Sequence, residues 1–222
     1  MFHSTPKEKP IAVITNACSG VGYEISKLLA KRGYDLILCS ESPAIVETAQ
    51  ICEAQGAKVD KYILDFSHAE GVSKLYDKVI ASLKQIDIII FNANSDRHSE
   101  TYFLQNNLLS PVTFLNLIKD LFYKSDRIKI LFIQLNTPGQ KSEHQNIFDS
   151  SLQFIKNYVY GLRKEFHKKN LHATVAFSKE ILPPNIMSAE VMASICLDGL
   201  IAGQESINLG RAIHETYSKS RT

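Results

Sequence analysis

No stretch of this 222-residue sequence is long and apolar enough to suggest a bilayer span; runs such as Ile88 to Phe91 are brief. Neither sign of charge dominates. The 25 basic and 23 acidic residues are interspersed and leave a formal net charge of +2, which argues against a nucleic-acid footprint. Cys18, Cys39, Cys52 and Cys196 lie far apart, with no C-x-x-C pair and no histidine at ligand spacing. A disulfide frame and a zinc site are therefore not expected, and the thiols read as reduced and partly buried in a cytoplasmic protein. The opening MFHSTPKEKP has no apolar stretch ahead of the first strand, so no secretory signal is expected. No repeat, low-complexity tract or linker interrupts the chain. Hydrophobic residues at 45% and charged residues at 22% exclude a disordered, collagen-like or coiled-coil protein.

What the sequence does have is a regular alternation of short apolar runs and amphipathic stretches. Strands are expected over 11–15, 35–39, 58–64, 86–91, 128–135, 171–177 and 205–209. Helices are expected over 20–32, 43–55, 68–83, 105–123, 147–169, 188–202 and 212–218. Ser42 and Pro43 read as the cap and first turn of the second helix. Pro111 should bend the fourth helix or mark its true start. About seven strands separated by helices imply an α/β fold, a single doubly wound parallel sheet with helices on both faces. The length favours one domain over 1–222, with tails at 1–9 and 211–222. The polar loops 94–102 and 136–146 each follow a strand, so both fall at the carboxyl edge, where such sheets bind ligands.

After the first strand comes TNACSGVG, Thr15 to Gly22. Gly20 and Gly22 stand where a helix begins, so main-chain N–H groups there can face a phosphate; close helix packing explains the same glycines. Further on come ILDFS with Asp65 and Phe66, FNAN with Asn92 and Ala93, and NNLLSP with Asn107. GLRKEFHKKNLHATVAF and SAEVMASICLDGLIAGQESINLG follow. In this order and spacing the segments resemble the short-chain dehydrogenase/reductase family, from Ile11 to Gly210. Each departs in detail. Asn16 replaces the first glycine of Thr-Gly-x3-Gly-x-Gly, Asn94 replaces a glycine, and Ser178-Lys179 replaces Pro-Gly. The segment between Asn94 and Asn107 is shorter than the family's.

The resemblance implies a Rossmann-type fold and hydride transfer between NAD or NADP and an alcohol or carbonyl. It implies cofactor contacts from Thr15, Asn16, Ser19, Gly20, Val21, Gly22, Glu41, Asp65, Phe66, Asn92 and Ala93. Asp65 would face the adenine. Glu41, at the end of the second strand, would take a ribose 2′-hydroxyl and favour NAD, while Ser19 and Ser40 stand where an NADP reader has a basic residue. A homodimer through the helices 105–123 and 147–169 is implied too. Phe154, Tyr158, Leu162 and Phe166 form an apolar stripe that fits either this interface or packing on the chain's own sheet.

In this family a tyrosine gives or takes the proton, and a lysine four residues on lowers its pKa and holds the nicotinamide ribose. A serine earlier in the chain orients the substrate oxygen, and a helix asparagine completes the relay. Counting back from Leu171 without gaps puts these positions at Phe148, Leu152 and Leu135, with Asn107 alone retained. None of the three replacements can carry a charge or give up a proton. Loss of general acid–base help alone costs roughly 10²- to 10⁴-fold. Tyr160 and Lys164 satisfy Y-x-x-x-K but lie too near Leu171, and read as helix surface. His144, in the loop before the long helix, and Lys156, one turn beyond Leu152, offer a substitute acid–base pair; solvated surface is the plainer reading. Cys18, beside a helix N-terminus, reads either as a lowered-pKa thiol or as a small packed side chain. Three functions remain open: a ligand-binding or regulatory protein without hydride transfer, an oxidoreductase with atypical acid–base groups, and a scaffold that binds no nucleotide. No metal, nucleic-acid or membrane partner is expected.

Overall fold

The computed structural model describes residues 9–81, 86–93, 99–125, 128–136, 145–169, 171–179, 182 and 187–211. The elements follow the expected alternation. β1 (Ile11–Thr15), α1 (Gly20–Lys31), β2 (Asp35–Ser40), α2 (Ile45–Ala54), β3 (Val59–Ile63), α3 (Ala69–Ala81) and β4 (Ile86–Asn92) form the first half. α4 (Glu100–Leu104), a π turn (Gln105–Leu109), α5 (Ser110–Leu117), α6 (Lys119–Lys124) and β5 (Lys129–Leu135) follow. α7 (Gln145–Glu165), a 3-10 turn (His167–Lys169), β6 (His172–Ser178), α8 (Ala189–Ile201) and β7 (Ser206–Asn208) complete the described chain.

The seven strands form one sheet in the order β3-β2-β1-β4-β5-β6-β7, and every pairing is parallel. Parallel strands need both faces covered, and alternate side chains supply both. Ile11 and Val13 of β1, Ile89 and Phe91 of β4, and Ile130 and Phe132 of β5 face a core shared with α3, α5, α6 and α7. Ala12, Ile14, Ile88, Ile90, Leu131 and Ile133 face the other core, shared with α1, α2 and α8. Burying each large side chain contributes about 1.5–3 kcal/mol. The first face is rich in phenylalanine: Phe66, Phe91, Phe114 and Phe132 pack with ring centroids 5.1–6.3 Å apart.

Three elements differ from the sequence reading. α2 starts at Ile45 rather than at Pro43, because the chain from Ser42 first makes i→i+3 turns, Ile45 N to Ser42 O and Val46 N to Pro43 O. The fourth helix begins earlier, at Glu100, and is then broken twice. Pro111 has no N–H for the Asn107 carbonyl, and the chain absorbs this in the π turn just before it, where Ser110 N bonds Gln105 O. A second break falls at Ile118 (φ −95, ψ 8). The long α7 ends at Glu165 and passes into the 3-10 turn instead of running on to Lys169. The helix expected over 212–218 lies outside the described residues.

The strand order reverses between β1 and β4. In such sheets a crevice forms at the carboxyl ends of the strands where the order reverses. Among the described residues no helix is long and apolar enough to cross a membrane, and no group of three or more acidic, histidine and cysteine side chains could hold a metal. Cys39, Cys52 and Cys196 are buried free thiols. Burial pushes Cys39 and Cys196 up to about 12 and Cys52 up to about 11.

One glycine fixes how α3 sits on the sheet. A Cβ on Gly71 would lie 1.9 Å from the Asp65 main-chain oxygen. Alanine would gain about 1 kcal/mol of helix propensity, but a backbone overlap of this depth cannot be relieved by a rotamer change, so strain wins. Gly71→Ala should cost about 2 kcal/mol net, lowering Tm by roughly 4–8 °C for a chain of this size. An unchanged or raised Tm in calorimetry would contradict this packing.

Candidate functional site

The turn after β1 is held by a pair of asparagines. Asn16 adopts the left-handed region (φ 48), which asparagine tolerates better than most residues. Its Nδ2 donates to Asn92 O at 2.8 Å, and Asn92 Nδ2 donates back to Asn16 O at 3.1 Å. These two bonds tie the carboxyl ends of β1 and β4 together at the switch point. Gly22 lies directly beneath: a Cβ there would come within 2.4 Å of Asn16 O and 2.6 Å of Asn92 Nδ2. Only glycine lets α1 approach this closely. Gly20 also needs a left-handed backbone (φ 53) but faces open space.

α1 therefore begins at the crevice. Its N-cap, Ser19, is extended and makes no side-chain cap bond, and the first turn holds no acidic residue. The first helical bond runs from Tyr23 N to Ser19 O at 3.3 Å. The amides of Gly20, Val21 and Gly22 precede it and have no intrahelical acceptor. Such a terminus favours an anion. It opens on a cleft of about 390 Å³ lined by Asn16, Cys18, Ser19, Gly20, Val21, Ser40, Glu41, Ser42, Ala44, Asn92, Ala93, Leu135, Ala189 and Met192. That volume lies within the ordinary range for small-molecule sites.

Of the residues named from sequence, Asn16, Ser19, Gly20, Val21, Glu41, Asn92 and Ala93 line this cleft. Gly22 supports its floor, and Thr15 is buried at the end of β1. Asp65 and Phe66 are not among the lining residues. Phe66 is buried against Phe91 and Phe114. The Asp65 carboxylate accepts from Ser67 N (2.8 Å) and Ser67 Oγ (2.6 Å) and lies 2.8 Å from His68 Nδ1. Desolvation raises its pKa, but the Ser67 bonds and the neighbouring His68 outweigh that, and the net shift is downward. Glu41 accepts from Tyr102 Oη at 2.9 Å. Cys18 Sγ sits 3.0 Å from Ser40 Oγ.

Leu135 ends β5 and lines the cleft wall. Phe148 and Leu152, one turn apart on α7, are each only 1% exposed and belong to the phenylalanine-rich core. Asn107 is buried on the π turn and accepts from Asn106 Nδ2 at 3.1 Å. Both asparagines border a void of about 10 Å³ with Thr15, Gln134 and Ile155. A void of this size holds about one water. The sequence reading missed Gln134, whose polar side chain within the apolar ILFIQL strand was the available signal, and its partner Ser151, which gave none. Gln134 Nε2 donates to Ser151 Oγ, whose hydroxyl donates to Phe148 O at 2.8 Å.

His144 lies outside the described residues. Lys156 packs its ammonium 3.8 Å above the Phe177 ring, and desolvation, then the charge of Lys179, pulls its pKa down. Lys179 itself lies 3.2 Å from Asp149. Tyr160 is 58% exposed and is not among the cleft-lining residues. The stripe on α7 divides: Leu162 and Phe166 are buried in the chain's own core, Tyr158 packs against it, and Phe154 is 45% exposed.

Comparison with known proteins places this geometry. The short chain dehydrogenase family profile matches residues 10–189. An uncharacterised oxidoreductase of Staphylococcus saprophyticus is 23% identical over 175 residues, which cover 74% of this chain and 75% of the relative. Other curated relatives match over 32% to 56% of their own length. A short-chain dehydrogenase from Sphingobium yanoikuyae, solved in complex with NADPH, superposes with a TM-score of 0.76 at 17% identity, covering 96% of this chain and 93% of that one. A 7α-hydroxysteroid dehydrogenase complexed with NADH and 7-oxo glycochenodeoxycholic acid gives 0.75 at 17% identity, covering 90% and 92%. At these identities the structural likeness establishes the fold, and the family profile, spanning most of the sequence, establishes the lineage. The chain belongs to the short-chain dehydrogenase family.

Proposed function

We infer that this chain binds a nicotinamide dinucleotide at the β1–β4 switch point but does not transfer hydride by its family's acid–base route, and serves as a ligand-binding or regulatory protein. The observation that carries the first half is the uncapped start of α1, aimed into the cleft and brought there by Gly22. Main-chain amides of Gly20, Val21 and Gly22 would hold the pyrophosphate, with Asn92 and Ala93 at the β4 end and Glu41 on a ribose hydroxyl. Solved relatives hold either NADPH or NADH. Glu41 and the lack of a basic residue among the described cleft-lining residues favour NAD.

The second half rests on Leu135, Phe148 and Leu152. A nicotinamide dinucleotide held here would offer hydride chemistry. The protein must then move a proton and steady a developing oxyanion. Leucine and phenylalanine side chains do neither. Asn107, the retained relay position, accepts from Asn106 and borders a small void with Thr15 and Gln134.

Calorimetric and thermal-shift titrations with NAD(H) and NADP(H) test both halves. Ligand at 100 times its Kd should add about 2.7 kcal/mol, a rise of roughly 5–10 °C in Tm. The expected result is such a rise, with no turnover across a panel of alcohols and carbonyls. No shift at millimolar nucleotide would overturn the binding half. Steady nucleotide-dependent turnover would overturn the other.

The homodimer is also part of this reading. Leu117, Tyr123, Phe154 and Tyr160 are exposed on α5, α6 and α7. Phe154 stacks on Tyr158 at 6.3 Å, beside a groove between α5–α6 and α7. Sedimentation equilibrium should return twice the 24.9 kDa chain mass; a monomeric mass rejects the interface.

A further inference from the structure

One long-range contact at the cleft has no counterpart in the sequence reading. The phenol of Tyr102 donates to Glu41 Oε2 at 2.9 Å, joining α4 to the end of β2 across 61 positions of sequence. α4 is short but firmly placed. Ser99 Oγ caps it by accepting from Tyr102 N at 3.1 Å, and Phe103 is buried in the same core as Phe66, Phe91 and Phe114. Tyr102 is half-buried and is not itself on the cleft lining, whereas Glu41 is exposed and lines it. The hydroxyl therefore reaches the carboxylate from beside the cleft and takes one of its several acceptor positions.

An exposed glutamate ordinarily samples many rotamers, and ordering it on ligand binding weakens affinity. A hydrogen bond from a neutral donor to a charged acceptor is among the stronger ones, and here the donor stands on a helix anchored by a buried phenylalanine. Glu41 is also the sole charged residue among the described lining of the cleft. Whatever ribose group arrives there meets a negative charge held in place.

We propose that Tyr102 is a positioning residue for nucleotide choice: it fixes the Glu41 carboxylate so that it accepts a ribose 2′-hydroxyl and repels a 2′-phosphate. This rests on the dinucleotide reading above. It adds to that reading the residue on α4 that makes Glu41 an effective discriminator.

The test is isothermal titration of the full chain and its variants with NADH and with NADPH. The wild type should bind NADH more tightly. Tyr102→Phe keeps the ring and removes only the hydroxyl. It should weaken NADH binding about tenfold, the effect of losing one charge-assisted hydrogen bond, and leave NADPH unchanged or bound more tightly, with Tm preserved. Glu41→Gln should erase the preference, and adding Tyr102→Phe to it should cost little more, since the two act through one interaction. NADH binding with an unaltered NADH-to-NADPH ratio in Tyr102→Phe would overturn this proposal while leaving the dinucleotide reading intact. Equal weakening of both nucleotides would also overturn it, assigning Tyr102 a purely structural role, as would wild-type preference for NADPH. Binding of neither nucleotide by the wild type and by Tyr102→Phe would remove the dinucleotide reading and this proposal with it.

Discussion

The site depends on the exchange of hydrogen bonds between Asn16 and Asn92 at the ends of β1 and β4. Each bond is worth only about 1 kcal/mol net, but together they set a geometry. They hold the chain in a left-handed turn just after β1, and they fill the space directly above Gly22. α1 can reach the crevice only because that position has no side chain. The approach of α1 to the crevice, and with it the cleft-facing amides at the helix start, follows from this tie across the switch point.

The cleft divides along the line between backbone and side-chain chemistry. On the α1 side, binding capacity comes from main-chain N–H groups and a helix terminus, which survive most substitutions provided the turn keeps its shape. Asn16 adopts the left-handed φ that this turn needs and adds its own side-chain bond to Asn92 O. Leu135 lines the cleft at the end of β5, and Phe148 and Leu152 lie on α7; none of these three side chains can carry a charge or give up a proton. Phe148 and Leu152 are buried in the phenylalanine-rich core.

The sheet was readable from sequence because parallel strands buried on both faces must be near-continuous β-branched and aromatic runs, as in Ile11–Thr15 and Ile86–Asn92. The turn from Thr15 to Gly22 was readable because glycine spacing is local. What escaped was non-local or cumulative. The break at Gln105–Leu109 combines a missing Pro111 amide with the packing of three helical segments. Asp65 and Phe66 were placed by motif, but where their side chains point depends on the Phe91–Phe114 cluster and on Ser67 and His68. The Asn92 amide bond to Asn16 and the Tyr102 bond to Glu41 join residues 76 and 61 positions apart, and no periodicity reports such pairs. The α7 stripe was periodic, yet periodicity alone could not say that Leu162 and Phe166 turn inward while Phe154 stays exposed.

The most direct measurement is a crystal structure of the chain grown with saturating NADH. The account predicts the pyrophosphate against the first turn of α1, at the amides of Gly20 to Gly22, the adenine ribose toward Glu41, and the nicotinamide end toward Leu135 with no protein proton donor against it. Absence of nucleotide from this cleft, or its binding at any other surface, would contradict the account.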